Sequence, residues 1–161
     1  MYELVLRDEV VDRAPLANLE QARNTLSEMR SVVKEMRNAE NFNLEERFSA
    51  LFEHLPNCEL TLEFIEDIHD LTLKQQIIHC LQEGVSNAIR HGNAKQFTLT
   101  SSRENKLLTF SLIDNGEANT IKAFGSGLNG MKERLMAFHG EVELIHTAKG
   151  CSLKIQAKDT A

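Results

Sequence analysis

Apolar positions change their spacing several times along the chain, and each spacing predicts an element. Leu16, Leu19, Ala22, Leu26, Met29, Val33 and Met36 recur every three or four residues, as on one helix face, with Pro15 suited to a first helical turn. A shorter helix from about Tyr2 to Val11 precedes them, and Asp12-Arg13-Ala14 forms the turn of a helical hairpin. The hairpin's apolar stripe needs a cover, either its own domain or a second copy in a bundle. The polar run Asn38 to Asn43 marks a boundary between that hairpin (1–40) and a larger unit (41–161). There, Leu44 to Leu55 reads as a helix stopped by Pro56, and Leu60, Leu62 and Phe64 alternate as on a half-buried strand. Ile77, Cys80, Leu81, Gly84, Val85 and Ala88 define the buried face of a helix from Leu73 to His91. Strands at Gln96–Ser101 and Leu107–Ile113 follow, then a helix from Leu128 to Phe138 closed by Gly140. Val142, Leu144 and His146 alternate, as do Cys151, Leu153 and Ile155, with a turn at Lys149-Gly150. Short connections make the sheet mixed but largely antiparallel, with helices over one face. The expected fold is a two-layer α/β (α+β) sandwich preceded by the hairpin.

Composition narrows the class. A chain of 161 residues, 42% hydrophobic and 26% charged, suits one globular domain with an appendage. A net charge of −6 argues against nucleic acid as the main partner. No apolar run approaches the ~20 residues of a membrane span, and the N-terminus lacks the order of a signal peptide. Cys58, Cys80 and Cys151 show no framework spacing, and Cys80 lies on an apolar helix face, as in a reduced, cytoplasmic chain.

Three segments carry candidate chemistry. Glu83 and Asn87 stand one helical turn apart beside the buried face. An amide oxygen at Asn87 suits magnesium, a hard cation that shares its shell with phosphates and water, and Glu83 could take a proton or orient a nucleophile. The plain alternative is the polar side of an amphipathic helix. Asp114 ends an apolar strand and turns through Asn115-Gly116. It could accept a hydrogen bond from the amino group of adenine, or simply form a turn. Where adenine has an amino group guanine has an oxygen, and an unpaired buried acceptor costs about 1–3 kcal/mol. Gly125, Gly127 and Gly130 match a dinucleotide fingerprint, yet residues 114–124 separate them from the strand that should lead into it. Small residues before a helix still let backbone N–H groups approach phosphate. Gly84-Val85-Ser86-Asn87 lies mid-helix, so it is no nucleophile elbow; His54 and Cys58 straddle Pro56 and make a poor metal pair. His91 follows the polar strip by one turn.

Taken in order, Glu83-x-x-x-Asn87-x-x-Arg90-His91, Asp114-x-Gly116 and Gly125-x-Gly127-Leu128-x-Gly130-Met131-Lys132-Glu133-Arg134 resemble the ATP-binding domain of two-component sensor histidine kinases. The last run resembles the subgroup of nitrate sensors and the membrane-fluidity thermosensor. The resemblance covers about Leu44 to Ala157, and the hairpin resembles the end of that family's dimerisation and phosphoacceptor domain. It implies a Bergerat-type sandwich that binds ATP with Mg2+, with Asn87 as metal ligand and Glu83 as acidic partner of the reacting histidine. It further implies Arg90 near phosphate, Asp114 on adenine, His91, Leu128 and Met131 in the nucleotide site, and Gly116, Gly125, Gly127 and Gly130 shaping the loop over it. A response regulator and a second copy of the chain, joined through the hairpin, are the implied partners, on the cytoplasmic side of a membrane-bound sensor that this stretch does not itself anchor.

Three departures stand out. Ala118 and Cys151 occupy positions where the family often has glycine and threonine. The family's phosphoacceptor histidine is absent ahead of the domain; His69-Asp70 imitates it only in sequence, just before a helix. Met1 is therefore expected to begin a piece of a longer sensor. The implied function is transfer of the ATP γ-phosphoryl group to a histidine for relay to a response regulator. A serine kinase of the anti-sigma type and a non-catalytic nucleotide-gated interaction module are the alternatives.

Overall fold

A computed structural model describes residues 21–29, 42–117 and 125–161. The expected first helix at Tyr2–Val11, its turn, and Leu16, Leu19, Val33 and Met36 lie outside the described residues. Residues 21–29 are helical (α1). Then come α2 (Leu44–Glu53), β1 (Glu59–Glu63), α3 (Leu71–Gly92), β2 (Gln96–Glu104), β3 (Leu107–Asp114), α4 (Gly125–Leu135), a 3-10 turn (Met136–Phe138), β4 (Glu141–Thr147) and β5 (Gly150–Lys158). The five strands form one sheet ordered β1-β2-β3-β5-β4, in which β1 and β2 are parallel and every other pair antiparallel. Among the described residues no helix is long and apolar enough to cross a membrane.

Period-two alternation sends Phe97 and Leu99 of β2, Leu108, Phe110 and Leu112 of β3, and Leu153, Ile155 and Ala157 of β5 into the core. The α3 face of Ile77, Cys80, Leu81, Val85 and Ala88 packs with them. Gly84 makes close packing possible: a β-carbon there would stand 2.6 Å from Leu153 Cδ2. Phe48, Phe52 and Phe97 link α2 to the sheet through two edge-to-face contacts, each 5.4 Å between centroids.

Caps set the helix limits. Asn43 Oδ1 accepts from Glu46 N–H at the start of α2 (3.1 Å), and Asp70 Oδ1 from Leu73 N–H at the start of α3 (3.0 Å). The Asp70 cap starts α3 at Leu71, two residues before the position expected from apolar spacing. Asn93, left-handed at φ 52°, ends it. Asp159 locks this corner, accepting from the His69 and Asp70 N–H groups (2.8 and 3.1 Å) and from Arg103 Nη2 (2.9 Å). The His69-Asp70 pair is thus part of a helix start.

Phe64 departs from expectation. The strand ends at Glu63; Phe64 takes a left-handed φ of 47° and is 91% exposed. Its carbonyl still receives the Ser101 N–H of β2 (3.0 Å), and the left-handed turn ends the strand there. Of the N-terminal stripe, the described part turns toward its own chain: Met29 is fully buried in the core cluster, and Ala22, Leu26 and Met29 face Ser86, Ile89 and Arg90 of α3.

Candidate functional site

Helix α3, the end of β3 and the start of α4 converge. Asn87, Asp114, Leu128 and Met131 line one cavity of about 10 Å³ with Gly84, Leu112, Leu144, Cys151 and Leu153. That volume is at the limit for a single water. Asn87 is 4% exposed. Glu83, one turn earlier, is half-buried. The first turn of α4 lies over both: a β-carbon at Gly127 would be 3.1 Å from Asn87 Nδ2 and 3.3 Å from Glu83 Oε1.

Asp114 is held from several sides. Gly116 N–H donates to its Oδ1 (2.8 Å), and Gly116 is hemmed in: a β-carbon there would meet that oxygen at 2.9 Å and Gly92 O at 3.0 Å. Glu117 N–H donates to Gly92 O (2.7 Å), fastening this loop to the end of α3. Burial raises the Asp114 carboxyl above its ordinary value, although the Gly116 and Cys151 N–H groups and the His146 imidazole draw it back. Burial likewise pushes the neighbouring Cys151 thiol up to about 11, with the Asp114 carboxylate adding to the effect. Such a thiol stays protonated and unreactive at neutral pH.

Not every expected residue reaches the cavity. Arg90 is exposed and lines a separate groove of about 440 Å³ beside Gln21, Ala22 and Thr25 of α1. Three residues on from Asn87, a helix turns short of the same strip, and that difference aims Arg90 toward α1. His91, on the other flank, is partly buried; burial, with the Arg90 guanidinium beside it, lowers its imidazole below the usual range. Gly125, Gly127 and Gly130 lie within α4 rather than in a loop ahead of it, because the helix begins three residues before Leu128. A β-carbon at Gly130 would meet nothing within 4 Å.

Two further residues shape the site. Asn115 Oδ1 accepts from the Lys95 and Gln96 N–H groups, both at 2.9 Å, tying the β3 end to β2. Gly150, at φ 151°, passes so close to the Asp114 carbonyl that a β-carbon would overlap it. Both contacts join distant segments, and their only sequence signal is a turn-forming residue type.

The donor set fits a hard cation in part. Asn87 offers an amide oxygen and Glu83 a carboxylate one turn away, while the described residues hold no group of three or more His, Cys, Asp and Glu able to enclose a metal. A magnesium ion here would draw the rest of its shell from phosphate and water.

No family model matches the chain. It is 28% identical over 141 residues to the sensor histidine kinase LiaS of Bacillus subtilis, which covers 82% of this chain and 39% of that protein. It is 32% identical over 124 residues to the sensor histidine kinase YxjM of the same organism, covering 70% of this chain and 29% of that protein. The chain therefore spans well under half the length of these curated relatives. The solved ATP-binding domain of PrrB from Mycobacterium tuberculosis superposes with a TM-score of 0.61 at 14% identity, covering 73% of this chain and 93% of that domain.

Proposed function

This chain is related to the sensor histidine kinases and has the fold of their ATP-binding domain, and we infer that it binds Mg-ATP and transfers the γ-phosphoryl group to a histidine for relay to a response regulator. The observation that supports this best is the buried Asn87 side chain, lining the same small cavity as Asp114 beneath the first turn of α4. Magnesium, when bound, supplies charge neutralisation of the phosphates. Asn87 and Glu83 are the residues that would hold it or its water.

The chain's own residues do the rest. Asp114 takes the amino group of adenine, held in place by Gly116, Asn115 and Gly150. Leu128, Met131, Leu144 and Leu153 cover the base. Glu83 orients the attacking imidazole and takes its proton. Phosphoryl transfer asks for positioning more than covalent help from the protein. A ligand of this size needs about 300 Å³ or more, so the start of α4 moves outward on binding. Dimerisation through the N-terminal hairpin belongs to the same proposal. No histidine precedes His54 in the sequence, so the test offers the acceptor histidine on a separate molecule. Incubating the chain with γ-labelled ATP and a separate histidine-bearing dimerisation domain tests this. Label should appear on a histidine of the added domain. Label on a serine of a partner, or on the chain's own histidines, would contradict it.

A further inference from the structure

Strand register sets three residues in one row at the end of the sheet. Asp114 on β3 pairs with Cys151 on β5, and Cys151 pairs with His146 on β4. Residues paired directly across strands share a face, so all three point to the helix side. Asp114 and Cys151 line the cavity, and so does Leu144, two residues before His146 on the same face of β4. His146 is half-buried, and its Nδ1 is the one buried side-chain nitrogen or oxygen among the described residues that lacks a hydrogen-bond partner. Buried polar atoms are nearly always paired, with protein, water or a ligand. The imidazole also lies near enough to lower the Asp114 carboxyl.

We propose that His146 is a specificity residue whose Nδ1 hydrogen-bonds the edge of the purine base that Asp114 also contacts. This rests on the reading of the cavity as an ATP site. Adjacent strands lie about 4.8 Å apart, so β3 and β4 flank the small Cys151 side chain at a separation matching a purine. A base lying over Cys151 has its edge within reach of both flanking residues. Adenine presents an amino donor beside ring-nitrogen acceptors. The Asp114 carboxylate accepts from the amino group. His146, with a proton on Nδ1, donates to a ring nitrogen.

The test is calorimetry of the whole chain with Mg-ATP. His146→Leu, which removes the hydrogen bond, should weaken binding about tenfold. His146→Asn, whose side-chain nitrogen falls near the place of Nδ1, should stay within about threefold of the unmodified chain by the same reckoning. Nitrogen-15 spectra of the unmodified chain give a readout that needs no variant to fold: the His146 Nδ1 resonance should move on adding ATP and stay fixed on adding inorganic triphosphate. If the unmodified chain binds ATP, its His146 resonance stays fixed and His146→Leu binds as well, the role of His146 is overturned alone. If the unmodified chain binds no ATP, the reading of the site falls, and this inference with it.

Discussion

A β-carbon placed on Gly127 would stand 3.1 Å from the side-chain nitrogen of Asn87, so the α4 backbone rests on the polar strip of α3 with no room between. Gly130, in the same helix, faces open space. The two glycines therefore predict opposite outcomes. Gly127→Val should cost about 1–3 kcal/mol through overpacking against buried Asn87. Gly130→Ala should gain about 0.5–1 kcal/mol, the usual helical advantage of alanine. Urea unfolding of both variants checks this, and equal effects would mean that α4 is not seated on α3 this way.

Gly150 holds Asp114 from the other side. Its φ of 151° and the overlap that a β-carbon would make with the Asp114 carbonyl leave no room for a side chain. Gly150→Ala should lose about 3 kcal/mol or more, as backbone must move to admit it. Thermal melting measures the loss; an unchanged midpoint would contradict the packing of the β4–β5 turn on β3.

Asp159 gives a pH signature. Burial alone would raise its carboxyl, but the His69 N–H, the Arg103 guanidinium and the Asp70 N–H outweigh that and bring it below the ordinary range. A lowered carboxyl stabilises the fold above its unfolded pKa, and the benefit is lost as pH falls through the folded value. Asp159→Asn should therefore cost about 2 kcal/mol at neutral pH, and the gap to the unmodified chain should shrink in acid. Urea midpoints across the acid range decide it; a constant gap would mean that the charge of Asp159 does not act.

Much of this was legible in the residues alone, because it depends on local period. The Glu83–Asn87 strip, the inward rows of β3, β4 and β5, and the glycine and proline stops follow from spacing. Errors arose where tertiary contacts outrank spacing. Phe64 continues an alternation that the backbone abandons. Asp70 caps a helix two residues before its apolar period begins. The glycines of α4 look like a loop because glycine rarely opens a helix, and here close seating on Asn87 calls for it. The roles of Asn115, Gly150 and His146 come from strand register, which no single segment contains.

The central claim is that α3, β3 and α4 together form a site for magnesium-bearing ATP, with Asn87 at its metal end. Calorimetry with ATP, with and without magnesium, on the unmodified chain and on Asn87→Ala tests it most directly. Binding strengthened by magnesium in the unmodified chain, and at least about tenfold weaker with magnesium in the variant, is the predicted result. No heat of binding from the unmodified chain, or the same magnesium dependence in both, would contradict it.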